Sequence, residues 1–169
     1  MDMQSSETDG TGRTECGAPR TTLGGAETIL FVEDESFVRD VTSEVLRSAG
    51  YNVLTARNAS DALTAYGQHP NEVDLLLTDV ILPGENGHTL AKRLHRGDPG
   101  LSVLFITGYA DQMEGRETGH PEDHAGDHAD HLAKPFSTSV LLQKVREMLE
   151  RRHWASRAET KFRHASGSA

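Results

Sequence analysis

Five polar residues of this chain each come at the end of a short apolar run, and together they are the groups that phosphoryl transfer needs. Glu33 and Asp34 close Ile29-Leu30-Phe31-Val32. Asp79 follows Leu75-Leu76-Leu77-Thr78, Thr107 follows Val103-Leu104-Phe105-Ile106, and Lys134 follows His131-Leu132-Ala133. Carboxylates held at close range repel one another unless a cation lies among them. Mg2+ or Mn2+ suits such a set, since a hard ion takes one or two carboxylates, waters and phosphate oxygens. One carboxylate can then act as nucleophile toward phosphorus. The cation and a lysine ammonium neutralise charge on the equatorial oxygens, and a hydroxyl such as that of Thr107 can hydrogen-bond one of them. Singly, each residue has a plainer explanation. Asp34 or Asp79 could cap a helix or turn, Thr107 could close a loop, and Lys134 could be a surface lysine.

The elements that would bring these residues together alternate between strand and helix. Thr28 to Val32 reads as a strand covered on both faces. A helix follows from Ser36 to Ala49, with Phe37, Val41 and Val45 spaced as an apolar stripe beside Val38, and Gly50 as its stop. Tyr51 to Ala56 is the second strand. Ala59, Ala62, Leu63 and Tyr66 mark a short helix capped by Asn58 or Ser60. Asp74 to Thr78 is the third strand, His88 to Arg96 the third helix with Leu90, Ala91 and Leu94 inward, and Ser102 to Ile106 the fourth strand. His131 to Ala133 is a short fifth strand. Ser137 to Arg152 is the last helix, with Val140, Leu141, Val145 and Leu149 on one stripe that Leu142 and Met148 widen. Such alternation implies a parallel sheet with helices on both faces, whose ligand site lies beyond the carboxyl ends of the strands. The five polar groups fall on that rim.

Four blocks in this order resemble the receiver domains of two-component signalling: Ile29-Leu30-Phe31-Val32-Glu33-Asp34-Glu35, Leu77-Thr78-Asp79-Val80-Ile81-Leu82-Pro83-Gly84 with Gly87, Phe105-Ile106-Thr107-Gly108-Tyr109, and Lys134-Pro135-Phe136. The resemblance covers about residues 27 to 151. It implies a flavodoxin-like, doubly wound, five-stranded parallel sheet of order 2-1-3-4-5. It further implies Asp79 as phosphoacceptor, Glu33, Asp34, Asp79 and the Ile81 carbonyl as the metal set for Mg2+ or Mn2+, and Thr107 and Lys134 as partners of the phosphoryl group. Gly108 would leave room beside the acceptor. The family's aromatic switch position falls at His131. A histidine kinase or phosphotransfer protein would be the donor, and an unknown downstream protein the target.

The organisation expected is a disordered segment over 1–26, a receiver domain over 27–152 and a short tail over 153–169. Between 110 and 130 the sequence turns polar and rich in His, Asp and Gly, where the family places a helix. There His120, His124 and His128 recur at spacings that could bind Zn2+ or Ni2+, but Pro121, Gly119 and Gly126 weaken any helix, and a hydrated loop is the reading preferred. A net charge of −9 disfavours nucleic acid as the main partner. The single cysteine, Cys16, excludes an internal disulfide, and no apolar run reaches membrane length, so a cytoplasmic setting without membrane association is expected. Signalling without phosphate, as an adaptor on the same fold, is the alternative; the complete acidic and basic set argues against it. A phosphohydrolase of the haloacid-dehalogenase type would need Asp-x-Asp after the first strand, where this chain has Glu33-Asp34-Glu35. The expectation is a signalling protein, not an enzyme.

Overall fold

The computed structural model describes residues 25–69, 71–108 and 128–165, the last helix by its backbone alone beyond His153. The elements run β1 (Thr28–Val32), α1 (Ser36–Ser48), β2 (Asn52–Ala56), α2 (Ala59–Gln68), β3 (Val73–Asp79), α3 (Gly87–His95), β4 (Ser102–Thr107), β5 (Ala129–Ala133) and α4 (Thr138–Ala165). All the strand pairings are parallel, in the order β2-β1-β3-β4-β5. The strand order reverses at β1 and β3, which puts their carboxyl ends side by side at the switch point.

Each central strand is apolar on both sides because both faces are covered. Ile29, Phe31, Leu75, Leu77, Leu104 and Ile106 pack with Leu46 of α1 and Leu141, Val145, Met148 and Leu149 of α4. The alternate residues Leu30, Val32, Leu76, Val103 and Phe105 pack with Ala59 and Ala62 of α2 and Leu90, Ala91 and Leu94 of α3. Helix starts are fixed locally. The Asn58 side chain accepts the Asp61 N–H at 2.8 Å, and the Asn86 side chain accepts the Thr89 N–H at 2.8 Å.

Several sequence expectations change here. The stripe read on α1 meets the core only in part: Val45 packs against it and Val38 is half-buried, but Phe37 is 72% and Val41 49% exposed, while Thr42, Ser43 and Leu46 are buried. Thr42 and Ser43 are small enough to let the helix backbone approach the sheet, which leaves the bulkier Phe37 and Val41 outside. Arg39 anchors the first turn by donating to the backbone carbonyls of Glu33 and Asp34, at 2.7 and 3.2 Å. Val140 likewise leaves its stripe and is 47% exposed, because Leu141, Val145, Met148 and Leu149 already fill the arc that faces the sheet. Pairing with β4 begins β5 two residues early, with Ala129 opposite Val103. Helix α4 continues to Ala165 where a tail was expected. No Gly or Pro interrupts it, and Ala, Arg, Glu and Lys are strong helix formers. Of the segment 1–26 expected to be disordered, residues 1–24 lie outside the described residues, and so do residues 110–127 of the insert 110–130, with His120 and His124.

The inward face of α1 can be tested by urea denaturation. Leu46→Ala should cost about 2–5 kcal/mol, as for truncation of a fully buried leucine, whereas Phe37→Ser should stay within about 0.5 kcal/mol of the parent.

Candidate functional site

The rim of the sheet is built from strand ends. β1 delivers Glu33, β3 delivers Asp79, and β4 delivers Thr107. Lys134 follows β5 directly, its N–H donating to the Thr107 carbonyl at 2.8 Å and its bond to Pro135 cis. Glu33 and Asp79 fall on the side of the sheet that carries Ile29, Phe31, Leu75 and Leu77, so they rise from the core shared with α1 and α4.

The Lys134 ammonium joins the two acids. Nζ donates to Asp79 Oδ2 at 2.7 Å and to Glu33 Oε2 at 3.3 Å. The other Asp79 oxygen, Oδ1, accepts the Ile81 N–H at 3.0 Å, and Glu33 Oε1 accepts the Glu35 N–H at 3.3 Å. Both acids are buried, Glu33 at 2% and Asp79 at 9% exposure, and Thr107 is buried beside them. Asp34 and Ile81, next on the same rim, are exposed to solvent.

Burial raises Glu33 above the ordinary carboxylate range by more than the charge of Lys134 and the Glu35 N–H lower it; the charge of Asp79 adds to the rise. Burial alone would lower Lys134. The hydrogen bond and charge of Asp79, with Glu33 behind them, outweigh it and hold the ammonium above its usual value.

Gly87 gives the loop between β3 and α3 its path, since a Cβ there would collide with the Asp79 carbonyl oxygen and crowd Thr78. Gly84 takes a positive φ of 86° within the same loop. Among the described residues, no three acidic, histidine or cysteine side chains form a closed metal cage.

Of the residues expected at the rim, Glu33, Asp79 and Lys134 are in contact and Thr107 is bonded to Lys134 through the backbone, while Asp34 is exposed at the end of β1; His131, expected as the switch position, lies further down. It stands on β5 opposite Phe105, with ring centroids 5.2 Å apart. Sequence reasoning missed His88, from the first turn of α3, whose ring is 4.2 Å from Phe105 and 6.0 Å from His131. The signal available was position: His88 directly follows the glycine that packs against Asp79. Arg39 was also missed, and no feature of the sequence marks its backbone contacts.

Residues 29–146 match the response regulator receiver domain family. The response regulator receiver protein CpdR of Brucella abortus (strain 2308) is 34% identical over 121 residues, a span covering 72% of this chain and 95% of CpdR. The sensor kinase CckA of the same organism is 37% identical over 131 residues, which is 78% of this chain but 13% of the kinase. A crystal structure of the receiver domain from hybrid histidine kinase CckA superposes with a TM-score of 0.58 at 36% identity, covering 72% of this chain and 98% of that domain.

The charge state of the rim should show in stability. Glu33 holds its proton more tightly folded than unfolded, so its contribution to stability declines as pH rises from about 4.5 through its raised folded value. Glu33→Gln should remove that decline. Unfolding free energies measured in a chelator from pH 4 upward should move in the variant's favour with rising pH; parallel profiles would contradict the assignment.

Proposed function

This chain belongs to the response regulator receiver domain family, and from that premise we propose that Asp79 is its phosphoacceptor. The observation that carries the reading is the Lys134–Asp79 contact at 2.7 Å: a buried carboxylate with one oxygen on an ammonium and the other on a backbone N–H. The donor is a phosphohistidine on a histidine kinase or phosphotransfer protein. An Asp79 oxygen attacks phosphorus, an O–P bond forms, the N–P bond breaks, and the donor imidazole leaves with the electron pair and takes up a proton. Glu33, Asp34, Asp79 and the Ile81 carbonyl would hold Mg2+ or Mn2+, which supplies neutralisation of the phosphoryl oxygens. The oxygen donors, with Glu33 and Asp79 buried side by side on a single ammonium, fit such an ion.

Once Asp79 is phosphorylated, Lys134 pairs with the phosphoryl group and the Thr107 hydroxyl moves to it. The surface around β4 and β5, with His131 at the switch position, changes its preferred conformation and its protein partner. Output is by protein–protein interaction in the cytoplasm.

The donor docks on an apolar groove between α1 and α4, lined by Phe37, Val41, Val45, Ala49, Thr138 and Leu142. Both helices begin at the rim, Ser36 two residues after Asp34 and Thr138 four after Lys134. A protein seated in the groove therefore reaches Asp79. The exposure of Phe37, otherwise a cost in solubility, has its use here.

Asp79→Asn should abolish labelling by acetyl phosphate, and undiminished labelling would remove Asp79 as acceptor. Phe37→Glu should slow transfer from a protein donor about tenfold or more while leaving acetyl phosphate labelling within about twofold, since roughly 1.4 kcal/mol of docking energy is tenfold.

A further inference from the structure

We propose that Arg39 is a positioning residue for the cation: by holding the turn that carries Glu33 and Asp34, it sets how tightly this chain binds Mg2+. The proposal rests on the reading of Glu33, Asp34, Asp79 and the Ile81 carbonyl as the cation's ligands, and adds a residue to which that reading gives no part.

The two acids that end β1 are held in different ways. Glu33 is buried and fixed by its own carboxylate, which accepts from Lys134 at 3.3 Å and from the Glu35 N–H at 3.3 Å. Asp34 is exposed, and among the described residues no group bonds its carboxylate. Its place therefore depends on its backbone. The Arg39 guanidinium reaches back from α1 and donates through Nη1 to the carbonyls of both residues, at 2.7 Å for Glu33 and 3.2 Å for Asp34. A charged donor makes such bonds stronger than a neutral one does.

The start of α1 has no side-chain cap to do this instead. Asn58 caps α2 and Asn86 caps α3 through their side-chain oxygens, and Ser137 Oγ accepts the Val140 N–H where α4 begins, whereas Glu35 at the start of α1 makes no such bond. The reach of Arg39 stands in place of that brace. Arg39 is half-buried. Asp61 of α2 feels its charge but is bonded by Arg57 at 2.8 Å. Among the described residues, the bonds of the Arg39 side chain are the two to the turn.

Position and charge act here with opposite signs. A positive group near a cation's site repels the cation, so removal of Arg39 would tighten Mg2+ if its charge alone mattered. Removal weakens Mg2+ if Arg39 works by holding Asp34 in place, because a loosened ligand must be ordered again when the ion binds. Groups that orient a metal's ligands without touching the metal are typically worth about 10–100-fold in affinity. Repulsion across a rim open to water is screened. The two bonds to the turn therefore set the sign.

The test is a Mg2+ titration of the full chain, followed by the NMR shifts of the Asp79 and Ile81 amides, which lie outside the turn that Arg39 holds. Arg39→Gln should weaken Mg2+ about tenfold or more. Arg39→Lys keeps the charge and loses the planar fork, so it should fall between the parent and Arg39→Gln. Leu46→Ala loosens α1 from its buried face and should leave Mg2+ affinity within about twofold of the parent. Unchanged or tighter binding in either Arg39 variant would overturn the proposal, as would a loss in Leu46→Ala as large as that in Arg39→Gln, which would make the effect one of general stability. Should Arg39→Gln not fold, Arg39→Lys decides by the same criterion. Failure of the parent to bind Mg2+, or undiminished binding in Asp34→Asn, would overturn the reading of the ligands and the proposal with it. Weakened binding in Asp34→Asn beside unchanged binding in Arg39→Gln would overturn the part given to Arg39 alone.

Discussion

The structure depends on one ammonium between two buried carboxylates. Lys134 Nζ stands 2.7 Å from Asp79 and 3.3 Å from Glu33, residues that are 55 and 101 positions away in the chain. Two acids and one lysine leave the rim net negative even before Asp34 is counted. Burial of such a set costs stability unless each charge is paired and hydrogen-bonded. Backbone N–H groups of Glu35 and Ile81 supply the remaining bonds, yet Glu33 still holds its proton above the usual range. The fold thus keeps a charge imbalance where a well-packed apolar cluster would be cheaper. A divalent ion and a phosphoryl group are the species whose arrival changes that imbalance most.

What holds the arrangement is the parallel sheet. Each of the contributing strands has an apolar interior that fixes its register, with Leu77 opposite both Phe31 and Leu104. A slip of one residue would turn each strand's buried set to the opposite face, and would carry Asp79 away from Lys134 at the same time. Packing and chemistry are specified by the same pairing. Gly87 completes this from outside the sheet, because only a residue without Cβ lets the loop pass over the Asp79 carbonyl.

Much of this was legible in the sequence, for a physical reason. Buried parallel strands are continuous apolar runs, so Asp79, Thr107 and Lys134 are conspicuous as the polar residues that end them. The direction of α1 was not legible. Phe37, Val41 and Val45 form a regular stripe, and hydrophobic spacing alone reports amphipathicity without saying which side meets the sheet. Thr42 and Ser43 are buried for their small size, a property that hydropathy does not record. A fully buried phenylalanine contributes roughly 1.5–3 kcal/mol. An exposed Phe37 forgoes that, which is consistent with a surface kept for a partner. His88 escaped notice because its significance lies in a contact with Phe105 and His131 that spacing along the chain does not encode. The extension of α4 followed from helix propensity but not from any apolar face, and the sequence was read for faces.

The alternation of side chains gives the domain two separate surfaces for one site. Glu33 and Asp79 continue the series of residues that points toward α1 and α4, the side with the exposed Phe37 and the apolar groove. Thr107 continues the series of Val103 and Phe105, which points toward α3 and shares its face with His131. The strand ends are where both series terminate, so the rim is bordered by groups from both faces. A hydroxyl on β4 and a lysine following β5 are joined by the backbone bond from Lys134 to the Thr107 carbonyl, which ties the two faces together at the rim. The separation of the two faces follows from the pleat.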